Sequence, residues 1–333
     1  MNKQIRKMLI MILLVWLCIL HVDINVSASD SNGKIVNTRH QKYTYTEMLN
    51  DINKISEKYP DYIHVSIIGK TVDNRNIHDI VLGNPEAPKC VMFQASAHAR
   101  EYMCSQLVMR QMEYYLENYN KRYKGESYHD IFDKVCVHIV PMTNPDGVTL
   151  AQKGVNGIRS KSLRKKLKRM RGIGNPSNWK ANARGVDINR QFDYKFPRGR
   201  SLNKYACYAG YGGPRPASER ESKALLYVVN TYMPKATVSY HAMGNVVFHG
   251  YKCDKTTSKK MQRLTAKIKS ITGYSYLYTE PGPGFANYIN YKKHIPSTTV
   301  EIGRYTTPVP SSQFPTVWKQ NKNVIAAVAQ MYE

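Results

Sequence analysis

This 333-residue sequence predicts an α/β domain built on a mostly parallel sheet, and three observations carry that prediction. Short apolar runs alternate with stretches of helical spacing along most of the chain. No repeat, low-complexity tract or linker divides it beyond its N-terminal segment. Hydrophobic residues make up 42% of the chain, enough for one large domain with a substantial core.

The elements follow in order. Tyr45 to Lys58 has helical spacing and ends before Pro60. His64 to Lys70, Ile77 to Leu82 and Cys90 to Ser96 read as strands, and Glu101 to Asn118 as an amphipathic helix with Leu107, Val108 and Met112 on one face. Val135 to Pro141 is an apolar strand. A Gly- and Lys-rich loop is expected over most of Gly147 to Pro216. Ala217 to Met233 and Lys259 to Ile271 are helical, and Phe314 to Tyr332 is a closing helix. Ala236 to Tyr240, Val246 to His249 and Thr298 to Ile302 are strands.

The N-terminus reads differently. Lys3, Arg6 and Lys7 precede an apolar run from Met8 to Leu20, and Val26-Ser27-Ala28 offers small residues for cleavage before Ser29. This pattern predicts a signal peptide over residues 1–28 and a secreted product with no membrane anchor after cleavage, since the run is short for a span. Only Ser29 to about Gln41 then precedes the first predicted helix. Cleavage takes away three cations and one anion, lowering the net charge from +25 to +23. Such a charge favours polyanionic surroundings. Arg159, Lys161, Arg164, Lys165, Lys166, Lys168, Arg169 and Arg171 concentrate it. No recognition helix or stacking-aromatic motif accompanies the charge, so nucleic acid is not an expected partner. An anionic cell wall suits a secreted protein better.

Of six cysteines, Cys18 lies in the leader. Cys90, Cys104 and Cys136 sit in apolar stretches and read as buried thiols. Cys207 and Cys253 are the pair to join, if any pair does. No CxxC occurs, so the cysteines form no zinc or redox motif.

Four constellations carry chemistry. His98-Ala99-Arg100-Glu101 follows a predicted strand, where open α/β sheets place their sites, and a His and a Glu three residues apart on a tight corner can converge on one ion. His241, in Ser239-Tyr240-His241-Ala242, also lies just past an apolar strand, with His249 as a lower-ranked rival. A catalytic zinc site has three protein ligands and one open position, and His98, Glu101 and His241 supply the His₂Glu set. Thr299-Val300-Glu301-Ile302 places a carboxylate inside an apolar strand, where Glu is rare without a task or a partner. A Glu beside zinc-bound water can take its proton and hand it to a leaving amine. Arg184-Gly185-Val186-Asp187-Ile188-Asn189-Arg190 offers an amide and a guanidinium fork suited to a carboxylate. Asn144-Pro145-Asp146-Gly147 reads as a structural turn near the site.

The ordered set HARE, NPDG, GVDINR, SYHA and TVEIG resembles the metallocarboxypeptidase family of zinc peptidases, from about Tyr43 to the C-terminus. The resemblance implies one domain over residues 43–333, a mixed, mostly parallel sheet of about eight strands with helices on both faces, and one Zn²⁺ per chain. It makes His98, Glu101 and His241 the metal ligands, Glu301 the general base, and Asn189 with Arg190 the grip on the substrate's terminal carboxylate. The family's transition-state arginine has two matches here: Lys180 by position after Trp179, and Arg184 by chemistry. Either could stabilise the oxyanion. The family's mobile tyrosine falls by count on Thr279, with Tyr278 adjacent and its match after a one-residue slip. Ala286 matches a position that helps set the side-chain pocket.

The run from Trp179 to Asp187, with Pro308-Val309-Pro310 and Gln313-Phe314, is similar to a bacterial branch that cleaves γ-D-glutamyl bonds to diamino acids in peptidoglycan stem peptides. That resemblance implies a bacterial protein of the cell wall or the medium. A general secreted carboxypeptidase shares every one of these catalytic residues and stands as the alternative.

Overall fold

The computed structural model describes residues 33–196, 203–250, 253–278 and 282–333. The signal-peptide reading lies outside these residues, as does Thr279. Among the described residues no helix is long and apolar enough to cross a membrane.

Helix α1 (Tyr45–Lys58) starts at a capping box, Thr44 and Glu47 satisfying each other's backbone N–H groups. Strands β1 (Ile63–Lys70), β2 (Asn76–Leu82) and β3 (Lys89–Ala95) follow, then α2 (Met103–Glu117). A small hairpin, β4 (Arg122–Tyr123) with β5 (Glu126–Ser127), leads into α3 (Tyr128–Lys134) and β6 (Val135–Val140). Next come α4 (Pro145–Lys153), α5 (Lys161–Leu167), α6 (Arg220–Tyr232), β7 (Thr237–His241), β8 (Val246–His249) and α7 (Lys255–Thr272). β9 (Ser275–Tyr278), α8 (Phe285–Lys292), β10 (Ser297–Glu301), α9 (Phe314–Asn321) and α10 (Val324–Gln330) complete the chain.

Eight strands form one mixed sheet in the order β1-β2-β6-β3-β7-β10-β8-β9. The four central strands, β6, β3, β7 and β10, are mutually parallel. They are covered on both faces, which is why they read as continuous apolar runs rather than alternating ones. Val91, Phe93 and Ala95 of β3 join Val238, Tyr240 and Val300 against α1, α2, α7, α9 and α10. On the opposite face, Met92 and Val140 pack against α6 and α8. This second face carries the polar residues of the site.

Three sequence expectations change. The Gly147 to Pro216 loop contains two helices. The NPDG turn is the start of α4, where Asn144 accepts from Gly147 N at 3.0 Å and Pro145 opens the first turn without needing an N–H partner. Ser160 caps α5, whose Leu163 and Leu167 are buried while its cations stay outside. The closing helix is two helices, broken around Lys322 and Asn323. Cys207 and Cys253 are not joined: Cys207 is a buried thiol donating to Ala209 O at 3.1 Å. Cys90, Cys104 and Cys136 are buried thiols as expected.

Candidate active site

His98 and Glu101 occupy a corner just beyond β3. Ser96 enters the left-handed region there (φ 51°), and its hydroxyl donates to Glu101 O at 3.0 Å, folding the chain back before α2 begins. His241 is the last residue of β7, and Glu301 the last of β10. In parallel strands these ends lie at one edge of the sheet, so four residues spread over some 200 positions meet in one place.

His98, Glu101 and His241 are all buried, and each offers one ligand atom within 4.8 Å of the others. His98 Nδ1 lies 2.9 Å from Glu101 Oε1, and His241 Nδ1 lies 2.8 Å from Oε2. The two Nδ1 atoms are 3.0 Å apart. Facing imidazole nitrogens at that distance, flanked by one carboxylate, need a proton or a cation between them. Ligands sharing one tetrahedral zinc sit roughly 3 Å apart, so the set fits that ion. Burial alone would raise the Glu101 carboxyl, but the charges and hydrogen bonds of His98 and His241 hold it well below the usual carboxylate range. Ala242 N also donates to Glu101 Oε2 at 3.2 Å, fixing the carboxylate's direction.

Glu301 stands beside this group, with its Cα in register with that of His241. Burial first, and then the charge of Glu101, push its carboxyl up to about 7, against the opposing charges of His241, Lys180 and Arg100. A carboxyl poised there can exchange a proton near neutral pH.

Sequence reading assigned no role to Asp187, although it quoted the motif. Asp187 is buried, and its Oδ1 lies 3.2 Å from His98 Nε2. Burial opposes its charge, yet His98, Arg190 and Lys180 keep it well below the ordinary range. Its Oδ2 accepts Gly210 N and its Oδ1 accepts Asn189 N. It therefore orients an imidazole and also caps the turn Ile188–Arg190, which carries the carboxylate-binding candidates. The signal was an aspartate next to an apolar pair, too common to single out. Asn189 Oδ1 accepts Phe285 N at 3.0 Å, and Arg190 Nη1 donates to Asn189 O at 2.9 Å. Both side chains are partly exposed, on the turn that Asp187 caps.

Lys180 and Arg184 sit in different surroundings. Lys180 is near enough for its charge to act on both Glu301 and Asp187, and its carbonyl accepts Ala99 N within the HARE corner. Arg184 meets a different carboxylate. Its side chain is half exposed, lies 3.6 Å from the buried Glu219, and lines a surface pocket with Val72, Lys166 and Met170. Asn144 braces the arrangement, its Nδ2 donating to both Ala97 O and Ala181 O at 3.2 Å.

Tyr278 lies away from this group along the sheet. It pairs with His249, whereas Val246, at the other end of β8, pairs with Glu301. At about 3.3 Å per residue this sets Tyr278 about 10 Å farther down the sheet, with its ring packed 5.3 Å from that of His249. His249 itself bonds Thr265 and takes no part in the metal group. Ala286 is buried against Met261 and Phe248.

Among known proteins, residues 48–324 match the zinc carboxypeptidase family. The chain is 29% identical over 298 residues to gamma-D-glutamyl-L-diamino acid endopeptidase 1 of Lysinibacillus sphaericus, covering 86% of this chain and 72% of that protein. It is 23% identical to carboxypeptidase B of Rattus norvegicus, covering 78% of this chain and 60% of that one. Its fold matches the crystal structure of thrombin activatable fibrinolysis inhibitor with a TM-score of 0.70 at 18% identity, over 90% of this chain and 78% of that one.

Proposed function

We infer, from the premise that this chain belongs to the zinc carboxypeptidase family and is a peptidase, that it hydrolyses the bond between γ-D-glutamate and a diamino acid in peptidoglycan stem peptides. The observation that carries the chemistry is the buried triangle of His98, Glu101 and His241 with Glu301 in register beside it. The bond preference is supported by the similarity to an endopeptidase whose name specifies that bond.

In this reading His98, Glu101 and His241 hold one zinc ion. When bound, such an ion polarises a carbonyl and lowers the pKa of water. Asn189 and Arg190 take the free carboxylate next to the scissile bond, which sets the register of the substrate. Lys180 places its ammonium where negative charge develops on the carbonyl oxygen. Glu301 removes a proton from the attacking water and returns it to the leaving amine. Asp187 keeps the His98 ring fixed, so that its Nδ1 stays turned toward Glu101. Residues 1–28 direct the protein out of the cell, and the cations of residues 159–171 hold it against an anionic wall.

The second reading, a general carboxypeptidase releasing C-terminal amino acids, is favoured by the similarity to carboxypeptidase B. Parallel assays of the stem tripeptide L-Ala-γ-D-Glu-diaminopimelate and an acylated dipeptide separate the two. Release of L-Ala-γ-D-Glu from the first, with much slower cleavage of the second, is expected. The reverse preference overturns the stem-peptide reading.

A further inference from the structure

A second cluster of reactive groups lies at the opposite end of β3 from His98. Cys90 and Cys136 are the second residues of β3 and β6, and they are register partners on these adjacent parallel strands. Neighbouring strands run about 4.8 Å apart, within the range of Cα separations that a disulfide spans. Paired residues point to the same face, and the two thiols pack in one buried cluster with Val81. His138, two residues along β6, shares that face, near enough for its charge to act on the Cys136 thiol. His138 Nδ1 lies 2.7 Å from Asp79 Oδ2 on β2, and the Tyr232 ring packs 4.0 Å from the imidazole. Cys90 Sγ donates to Tyr232 O at 3.4 Å.

We propose that Cys136 is a peroxide-reactive thiol that resolves into a disulfide with Cys90. A thiol is activated by an adjacent base held in place by a third group, and Cys136, His138 and Asp79 form that chain. The two sulfurs are differentiated. The neighbouring Cys90 first, and then His138, bring the Cys136 thiol down to about 6 against burial. Its partner Cys90 is raised well above the ordinary thiol range. Cys136 is therefore the attacking sulfur, and Cys90 keeps its proton until the second step. Cys136 is 2% exposed and Cys90 7%, so a bulky disulfide is excluded and the oxidant must be a small one. None of these residues belongs to the metal group.

The oxidant is hydrogen peroxide. The Cys136 proton passes to His138, and the thiolate sulfur attacks one peroxide oxygen, breaking the O–O bond. The departing hydroxide takes the proton from His138 and leaves as water, and Cys136 becomes a sulfenic acid. The Cys90 sulfur then attacks the Cys136 sulfur. The S–O bond breaks, and the oxygen leaves as a second water with the Cys90 proton. Two thiols and one peroxide give one disulfide and two waters. The product ties β3 to β6 and closes a loop around α2 and the HARE corner.

The test is equimolar peroxide on the whole zinc-loaded protein, followed by alkylation in denaturant and non-reducing peptide mapping. A linked Cys90–Cys136 peptide is expected, with Cys104 and Cys207 fully alkylated. Cys90→Ser should leave a sulfenic acid on Cys136 that dimedone traps, and His138→Asn should slow oxidation at least tenfold. Alkylation of both cysteines in the treated wild type, oxidation confined to Cys253, or a Cys136 sulfinate without the link would overturn the proposal. The wild-type map decides the disulfide even if a variant fails to fold. Oxidation of a folded His138→Asn variant at the wild-type rate would remove His138 as the base.

Discussion

Glu301 and His241 are register partners on parallel β10 and β7, so a carboxyl and an imidazole stand at one height on one face of the sheet. That relationship joins a candidate base to a candidate metal ligand through backbone hydrogen bonds. Neither Cα can drift from the other without breaking the ladder. Replacing Glu301 with Gln keeps the shape and removes the base. We expect zinc content and substrate affinity to hold while kcat falls by at least about a thousandfold. Turnover within about tenfold of wild type would assign the base elsewhere.

Metal content tests the triangle directly. The purified protein should hold about one zinc per chain by elemental analysis, and His98→Ala or His241→Ala should lose it. Circular dichroism belongs beside the measurement, because metal loss and unfolding can be linked. Full occupancy in both variants rules out the ligand set.

Lys180 and Arg184 should separate cleanly. Lys180→Ala is expected to lower kcat by about 10²–10³-fold with zinc retained, the scale of losing one oxyanion donor. Arg184→Ala should leave kcat near wild type, because that side chain faces Glu219 and solvent. The opposite ranking would return the oxyanion role to Arg184.

Arg190 is tested with a modified substrate. Amidating the diamino acid's carboxylate should weaken catalysis, and Arg190→Ala should mimic it, each costing about 2–5 kcal/mol if the pair is desolvated. The two changes should be non-additive, since each removes the same interaction. If amidation costs the variant as much as it costs wild type, Arg190 does not hold that carboxylate.

Asp51 sets a pH dependence of stability away from the site. Burial pushes its carboxyl from about 3.8 up to about 7, despite the 2.7 Å hydrogen bond from Tyr43. The folded state therefore binds the proton more tightly than the unfolded chain. That contribution is whole below about pH 4, shrinks as pH rises to about 7, and is flat above. Urea midpoints should show wild type losing ground against Asp51→Asn across that window, by at most about 1.4 kcal/mol per pH unit. Parallel curves for the two proteins would show that Asp51 ionises normally in the fold.

Much of the fold was legible from local patterns. The first helix has the predicted bounds because its capping box and the following proline are local signals. The central strands were legible as apolar runs, the count of about eight strands came through resemblance alone, and their order came only from the structure. α8 and β9 went unseen because β9 is four largely exposed residues on a sheet edge and α8 is two turns long. Both depend on packing rather than on their own periodicity.

The sequence by itself determined the chemistry on offer: two histidines, a glutamate in an apolar strand, an amide and guanidinium pair, and their order along the chain. It did so because each residue type brings its own donors and charge wherever it is placed. The tertiary structure alone decided which of them meet. Lys180 and Arg184 are equivalent on paper, but the Asn182 turn between them sends one toward Glu301 and the other toward Glu219. Tyr278 was within one residue of a match, yet strand pairing sets it beside His249, down the sheet from Glu301. Asp187 became a partner of His98 only when a loop nearly ninety residues away closed onto the corner after β3. Electrostatic and hydrogen-bonding energies depend on separations of a few ångströms, and separations between distant residues are set by how the strands pair.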